Sequence, residues 1–429
     1  MSQPELAPGQ RLISLAFSNT GHFVTHLLML LYPTVVLTLG GEFGMSYGSL
    51  LSLSLPGFLL FGAAALPAGW LGDRWSTRGM MALFFIGCGL SAIATGLARS
   101  PLGLAIGLGS IGLFAAIYHP VGVAWLVGLA KNRGRALGIN GLFGNLGVAF
   151  AASVAAGLTA LIHWRAAFII PGVLALGAGL AFLFLIRSTD YRKSAKAHLA
   201  GPAAATPEMW RSFWVLGIST VCSGFVFQAT TLALPKLFDD RLGGFAGSVV
   251  GVGGLVTGVY VAGSLAQVIS GFAMDRLPVK PLFLTLNLIQ VPLLALAALY
   301  SGPALLVVTW LMVFFAMGTV PVPDMILARH TPVRWRGTVY GARFVLAIGV
   351  AGLAVPAVGL IRDATGGFTA LLLTLSGLAA LGTLAAGLLP AERPAEAGIP
   401  ATAGAPGGSL LEGEPALLAA EPGGIGASA

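Results

Sequence analysis

The sequence predicts an all-α integral membrane protein of twelve transmembrane helices, arranged as two pseudo-symmetric six-helix bundles. Three observations support this fold class. Of the 429 residues, 56% are hydrophobic and only 9% are charged, with a mean hydropathy of +0.90. The apolar runs reach the roughly 20 residues that a spanning helix needs, and they lack the alternation of a barrel strand. Two loop motifs recur at nearly one spacing, which indicates a duplicated unit.

Twelve apolar runs of membrane length follow one another along the chain. They lie near 12–38, 46–70, 79–98, 101–129, 135–160, 166–186, 212–237, 248–274, 281–300, 303–327, 337–361 and 367–389. An even number of spans places both termini on one side, and the loops on that side hold seventeen of the 23 basic residues. Because basic loops stay in the cytoplasm, we expect a multi-pass inner-membrane protein with both termini cytoplasmic.

Polar segments divide the chain into five parts. We predict an N-terminal cytoplasmic segment at 1–10, an N-terminal six-helix bundle at 11–187, a cytoplasmic linker at 188–210, a C-terminal six-helix bundle at 211–389 and a disordered cytoplasmic tail at 390–429. The linker is the longest internal polar stretch. The tail consists mainly of Ala, Gly, Pro and Glu, a composition that cannot bury a core.

Two loop motifs relate the two halves. "GWLGDR" contains Asp73 and "GFAMDR" contains Asp275, which is 202 residues further on. "RGRALG" begins at Arg133 and "RGTVYG" begins at Arg336, which is 203 residues further on. Parallel halves with a central site between them are the plan of one large class of transporters.

The loop after the second span resembles that of the major facilitator superfamily, which reads G-x-x-x-D-R-x-G-R-R/K. The chain matches this pattern at Gly69, Asp73, Arg74 and Arg78, and it has Ser76 in place of the second glycine. The resemblance implies transport by rocking of the two bundles about a midplane site.

The resemblance also assigns loop residues to a conformational latch between the halves. Asp73 would cap the positive end of helix eleven, and Asp275 that of helix five. Both contacts would join the halves in the outward-facing state. The other latch residues that we expect are Gly69, Arg74, Arg78, Arg133, Arg276 and Arg336. The alternative for any one arginine is that it only sets topology and remains solvated.

Shorter pieces are similar to the fosmidomycin-resistance-like branch of bacterial exporters within the superfamily. They are "SNTGHFVTHLLMLLYPTVV", "AIYHPVG", "GNLG" and "GLIRD". That branch carries acidic residues where this chain has His26 and Val121. The similarity implies export of small organic compounds.

Polar residues lie along one face of the first predicted helix. Asn19, His22 and His26 recur at three- and four-residue steps, so they lie on one helix face. The resemblance places this face toward the central cavity. His119 precedes Pro120, which loosens the fourth helix. An imidazole titrates near neutrality and suits proton coupling or substrate contact, whereas the alternative is a histidine satisfied by a hydrogen bond between helices.

Three further residues are candidates for the cavity. Gln228 on the seventh helix offers a neutral donor and acceptor. Asp324 is the only acidic residue and Arg343 the only basic residue well inside an apolar run. Both lie toward the same membrane face, so a buried ion pair is expected, either as a gate or proton site or as a structural clamp.

Several classes of function are disfavoured. The chain has no nucleotide-binding GxxxxGK[ST] motif, no nucleophile with an adjacent base and no basic cluster for nucleic acid. We therefore expect a monomeric, non-enzymatic secondary transporter without a cofactor, which exports small organic substrates through the lipid bilayer in exchange for protons. One alternative is transport of a transition metal or metal chelate by His22, His26 and His119. Another is uptake of a small organic anion.

Overall fold

The computed structural model describes residues 8–186, 207–330, 346–347, 350 and 352–389. Throughout this part the regular secondary structure is helical, which confirms the predicted all-α class. Ten helical segments of the described chain are long and apolar enough to cross a membrane, and the number is eleven when a helix pair bent by 41° is counted as one span. Of the predicted run 337–361, the structure describes residues 346–347, 350 and 352–361.

The N-terminal half contains six spans, three of which are interrupted. Its helices are α1 (Pro8–Leu30), α2 (Tyr32–Phe43), α3 (Tyr47–Ser52), α4 (Leu55–Ala63), α5 (Ala65–Arg74), α6 (Thr77–Gly96), α7 (Pro101–Ala115), α8 (Val123–Leu129), α9 (Arg133–Leu161) and α10 (Ala166–Leu185). The first span joins α1 to α2, and the second joins α3, α4 and α5. The fourth joins α7 to α8 through a π-helical turn, Tyr118–Gly122.

The C-terminal half repeats this order as far as the structure describes it. Its helices are α11 (Pro207–Ala246), α12 (Val249–Arg276), α13 (Val279–Leu299), α14 (Gly302–Thr319), α15 (Val322–His330), α16 (Ala354–Thr365) and α17 (Thr369–Gly387). The predicted linker lies outside the described residues except for its last four positions, which begin α11. The predicted tail 390–429 and most of the segment 1–10 also lie outside them.

Serines fix the start of several spans. The hydroxyls of Ser76, Ser100 and Ser248 each accept a hydrogen bond from the backbone N–H three residues ahead, at 3.1, 3.1 and 3.2 Å. Each bond satisfies one of the four N–H groups that have no partner within the helix. The turns between spans can therefore be short without leaving unpaired backbone groups.

The two halves meet closely at one end of the molecule, which we call the closed end. There Asp363 accepts hydrogen bonds from the backbone N–H of Gly48 at 3.1 Å and from the hydroxyl of Ser46 at 2.5 Å. A Cβ atom on Gly359 would lie 2.8 Å from the Cα atom of Gly48. Only glycine at both positions permits this approach of α3 and α16.

The opposite end of the molecule holds Asp73 and Asp275, and we call it the motif end. Along the α9–α12 interface, a Cβ on Gly253 would lie 2.8 Å from the carbonyl oxygen of Ala152. Nearer the motif end, the amide of Asn145 donates to Oε1 of Gln267 at 2.9 Å. The two halves are therefore in contact along α9 and α12 as far as Gln267.

Candidate functional site

The three histidines that the sequence analysis names as site residues form one cluster inside the N-terminal half. Nε2 of His26 lies 3.2 Å from Nε2 of His22, and the ring of His119 lies 5.2 and 5.5 Å from those of His22 and His26. One ring nitrogen from each residue falls within 4.8 Å of the other two. His26 stands at the middle of the span Gly9–Phe43, so the cluster lies deep within the membrane-spanning region. We call these residues the histidine triad.

The backbone of α9 fixes the proton arrangement of His22. Its Nδ1 lies 2.7 Å from the carbonyl oxygen of Asn140. Because a carbonyl only accepts, Nδ1 carries the hydrogen, and in the neutral ring Nε2 is left as an acceptor. Nε2–H of His26 then donates to it. A hydrogen bond between the two Nε2 atoms thus links the two rings inside the bundle.

A network of hydrogen-bonded side chains adjoins the triad. The amide of Asn140 donates to the hydroxyl of Tyr118 at 2.7 Å and to Oδ1 of Asn19 at 3.1 Å. The hydroxyl of Ser18 lies 3.4 Å from that of Tyr118 and donates to the carbonyl of Gly122 at 3.3 Å. The Tyr118 ring also stacks on His22, with centroids 5.1 Å apart. Asn19 therefore belongs to the network that orients the triad.

Glycines on α9 allow the close approach of α1. A Cβ on Gly144 would lie 2.5 Å from Nε2 of His22, and one on Gly147 would collide with the carbonyl of Phe23. Asn140, Gly144 and Gly147 follow one another at four and three residues, so they share the helix face that meets α1. Helix packing and ring placement therefore depend on the same face of α9.

The π-helical turn places His119 beside its partners. Pro120 lacks an N–H, and the wider turn is a type of local distortion that is frequent at functional sites. A Cβ on Gly69 would lie 3.1 Å from the Pro120 side chain, and one on Gly72 would lie 2.8 Å from the Val121 side chain. Gly69, predicted as a latch residue, thus packs α5 directly on the turn that carries His119.

The other predicted latch residues lie at the motif end. Asp73, Arg74, Asp275 and Arg276 are exposed there. The Arg74 guanidinium lies 4.2 Å from the centroid of the Trp70 ring. Asp73 has a partner as well. The remaining latch residues lie outside the described part of the chain, namely the Arg133 side chain and Arg336.

Arg78 makes contacts within its own half. Its Nε and one terminal nitrogen donate to the carbonyls of Ile186 and Leu183, both at 2.5 Å, at the carboxyl end of α10. Lys280, which is 202 residues further on, donates to the carbonyl of Leu389 at 2.5 Å, just beyond α17. A cation at a helix carboxyl end satisfies free carbonyls and complements the helix dipole. In this conformation Arg78 closes its bundle rather than bracing the other half.

The C-terminal candidates are not brought into the triad by any hydrogen bond between described residues. Nε2 of Gln228 is buried and lacks a hydrogen-bond partner within that part of the chain. Asp324 lies in the first turn of α15, where it is partly buried and has a partner. The predicted ion pair with Arg343 lies outside the described residues.

A match to a sequence profile identifies the protein family. The profile described as the Major Facilitator Superfamily matches residues 19–256, which include all three histidines and the first loop motif. The chain belongs to this superfamily. Major facilitator proteins are transporters, so the assignment confirms that the chain is a non-enzymatic membrane transporter of small molecules.

One curated relative, from Cupriavidus necator, is described as the probable sulfoacetate transporter SauU. It is 24% identical over 212 residues, which cover 43% of this chain and 49% of the relative. The chain therefore matches about half the length of this relative. The fosmidomycin-resistance-like resemblance is not confirmed at the level of the branch.

Solved structures show the same major facilitator fold. A bacterial homologue of the human lysosomal transporter Spinster, in an inward-facing and unoccupied conformation, has a TM-score of 0.68 and 16% identity, covering 90% of this chain and 95% of that one. The nucleoside transporter NupG has a TM-score of 0.72 and 13% identity, covering 89% of this chain and 99% of that one.

Sequence reasoning missed three residues of the site. Tyr118 directly precedes His119, and Asn140 and Gly144 lie in the glycine-rich first half of α9, where the sequence analysis names no site residue. The signal was present in the spacing, because Asn140 and Gly144 are one helical turn apart and must share a face. A buried amide on the same face as a packing glycine indicates a polar partner on the adjoining helix.

Proposed function

We propose that this transporter exports small organic compounds from the cytoplasm in exchange for protons, by alternating access, with the histidine triad as the proton site. The observation that carries the proposal is the hydrogen-bonded contact between His22 and His26 beside His119 in a membrane interior. Ionisable groups at this depth are costly, and they mark proton relays and substrate routes. Among side chains, an imidazole is the one that changes charge near neutral pH without a perturbed environment.

The spacing of the triad supports the uptake of a single proton. The three ring centroids lie between 5.0 and 5.5 Å apart. A second proton would place two like charges at that distance in a poorly solvated interior, where their repulsion is large. The triad therefore takes one proton in each cycle, and the charge is shared between His22 and His26 through their Nε2 atoms.

The direction and topology belong to the same proposal. Export is supported by the likeness of the first and fourth spans to drug exporters, and the excess of basic residues places the motif end and both termini in the cytoplasm of an inner-membrane protein. The motif end would then face the cytoplasm. The substrate would enter at the motif end and leave through the closed end. The protein would carry out this cycle as a monomer.

The test is proton flux in liposomes that contain the purified full chain. A pH-sensitive dye is trapped inside, a pH gradient is imposed, and sulfoacetate and a panel of neutral and cationic drug-like compounds are added in turn. We expect at least one compound to drive proton movement. We expect this movement to disappear in His22→Ala, His26→Ala and His119→Ala. The matched control is His163→Ala, because His163 is exposed outside the triad at the closed end.

Two outcomes would reject the proton proposal. One is substrate movement that is unaffected by the pH gradient. The other is proton-coupled transport at the wild-type rate in all three triad variants. A third outcome concerns the direction of transport. If sulfoacetate moves together with protons toward the side of the membrane that corresponds to the cytoplasm, uptake of a small organic anion replaces export.

A second candidate function is transport of a divalent transition metal or its chelate. The Nε2 atoms of His22 and His26 are 3.2 Å apart. Two nitrogens that bind a tetrahedral ion at about 2.0–2.1 Å lie about 3.3 Å from each other. The carbonyl of Asn140 also holds the distal nitrogen of His22, as supporting groups do around metal-binding histidines. The His22–His26 pair therefore fits an ion as cargo, with His119 beside it.

Metal transport is tested in the same liposomes with Zn²⁺, Ni²⁺, Mn²⁺ and Fe²⁺ and a trapped metal-sensitive dye. Accumulation that is lost in His22→Ala and His26→Ala but kept in His163→Ala would favour the metal function. A dye signal that does not differ from that of protein-free liposomes would exclude it.

A further inference from the structure

Two amide side chains join the halves of the molecule inside the membrane-spanning region. The amide of Asn145 on α9 donates to Oε1 of Gln267 on α12 at 2.9 Å, and the amide of Gln267 donates to Oδ1 of Asn145 at 3.4 Å. Nε2 of Gln267 also lies 3.4 Å from the sulfur of Met317 on α14. Both residues lie well inside the apolar spans Gly134–Leu161 and Val249–Arg276. We call Asn145 and Gln267 the amide pair.

A second polar link between α9 and α12 lies nearer the closed end. The Ser153 hydroxyl lies 2.6 Å from that of Thr257 and 3.1 Å from the carbonyl oxygen of Gly253. The Thr257 hydroxyl donates to the carbonyl of Ala149 at 2.7 Å. We call Ser153 and Thr257 the hydroxyl pair. Along α9 and α12, the amide pair is thus the hydrogen bond between described residues of the two halves that lies nearest the motif end.

The equivalent positions in the opposite halves are apolar. The loop motifs set the offset between the halves at 202 residues. At this offset the amide pair corresponds to Ala347 and Ala65, and the hydroxyl pair corresponds to Val355 and Leu55. None of these four side chains can form a hydrogen bond. The polar links therefore belong to the α9–α12 interface, and the duplication of a helix bundle does not account for them.

The amide pair adjoins the turn of α9 that holds the histidine triad. Asn145 directly follows Gly144, whose missing side chain leaves room for the His22 ring. A Cβ on Gly147 would collide with the carbonyl of Phe23, so the backbones of α9 and α1 are also in close contact here. The amide pair therefore attaches the C-terminal half to the same turn of α9 on which the His22 ring rests.

Separation of the two amides has a cost at this depth. An amide that loses its partner inside a membrane protein has to find water or remain unsatisfied. Hydrogen bonds between membrane helices change an equilibrium constant about 3-fold on average and about 20-fold at most. The amide pair can therefore alter the ratio of two conformations measurably without making either of them inaccessible.

We infer that Asn145 and Gln267 are positioning residues for transport, which limit how far α9 and α12 separate at the motif end. The two halves of such a transporter rock about a midplane site. A bond that lies on the motif-end side of the Gly253 contact resists the opening of that end. The inference goes beyond the proposed function, since it requires neither proton uptake nor a direction of transport.

The test is a distance measurement between spin labels at Lys131→Cys and Leu277→Cys, in the purified full chain in lipid nanodiscs. Both positions are exposed at the motif end, one before α9 and one after α12. The two native cysteines are buried. We expect Asn145→Leu and Gln267→Leu each to raise the ratio of long to short distances roughly 3- to 20-fold. A loss of stability alone would not lengthen this distance in the folded protein.

An exchange of the two side chains provides the matched rescue. Asn145→Gln combined with Gln267→Asn keeps both amides and their summed length, so it should restore the wild-type distances. Ser264→Ala is the control on α12, because its hydroxyl donates to the carbonyl of Tyr260 within the same helix. The inference is overturned if both leucine variants keep the wild-type distances, if the exchanged pair shifts them as far as the leucine variants do, or if Ser264→Ala shifts them equally.

Discussion

His22 keeps its position because position 144 carries no side chain. The ring occupies the space above Gly144, donates to the carbonyl of Asn140 and stacks on Tyr118. Helix α9 thus contributes two restraints to this imidazole, and the π-helical turn between α7 and α8 contributes one. Such a group has little freedom to turn, so the acceptor nitrogen stays directed at His26.

Gly144→Ala tests this restraint directly. The added Cβ lies 2.5 Å from the His22 ring, so the ring or α9 has to move. We expect the free energy of unfolding to fall by about 1–3 kcal/mol and substrate-driven proton flux to fall with it. Thermal unfolding in detergent and dye-monitored flux are the measurements.

Gly157→Ala is the matched control on the same helix. No described atom lies within 4 Å of a Cβ at Gly157, and alanine favours helix by about 1 kcal/mol. Stability should therefore stay unchanged or rise. If Gly144→Ala behaves like this control, the ring is not confined by α9.

At the scale of the helices, one kind of contact occurs at the carboxyl ends of both α10 and α17. A basic side chain from the start of the third or ninth span donates to the last carbonyls of the sixth or twelfth span. These contacts join the third span of a bundle to its last span across 105 to 109 residues of chain. In the C-terminal half Arg211 adds a second cation, because it donates to the carbonyl of Leu388 at 3.0 Å.

Arg78→Ala should open the N-terminal bundle at this point. It leaves two carbonyls at the end of α10 without a charged donor, and we expect a loss of about 2 kcal/mol in the free energy of unfolding. Arg74→Ala is the control, because its exposed stacking on Trp70 contributes less than about 1 kcal/mol. Equal effects of the two substitutions, measured by thermal unfolding, would contradict this role of Arg78.

The helices were predictable and their tertiary partners were not. The apolar runs gave eleven spans with ends within a few residues, because twenty apolar residues in lipid can only be helical. The stripe on α1 correctly indicated that His22 and His26 lie together. In contrast, nothing in the local sequence of Gly69 indicates contact with Pro120, and Arg78 finds carbonyls on a helix that begins 88 residues later. Such contacts depend on how spans pack, which a single sequence does not specify.

At the scale of the whole molecule, Asp363 holds the two halves together. It accepts from Gly48 and Ser46 across the closed end, while its neighbour Arg362 pairs with Asp240 at 3.2 Å. Asp240 also pairs with Lys236 at 2.9 Å. Only the Asp363 contact joins α3 to α16, so among these described pairs it is the one that must break when this end opens.

Asp363→Ala should shift the molecule toward states in which the closed end is open. Hydrogen bonds to a charged group contribute roughly 1.5–3 kcal/mol, which corresponds to roughly a 10- to 100-fold change in the ratio of closed to open molecules. Spin labels at Ser49→Cys and Thr365→Cys, both exposed beside this contact, should report longer distances. Asp239→Ala is the control, since Asp239 pairs with Lys236 within α11. Unchanged distances in Asp363→Ala would contradict the assignment.

The contact between Gly48 and Gly359 also bears on turnover. In an alternating-access cycle this backbone contact breaks once and reforms once. A contact without side chains reforms without any search among rotamers, so closing this end requires no side-chain rearrangement at these two positions. Larger residues at either position would hold the halves apart and leave this end open to solutes in every state of the cycle.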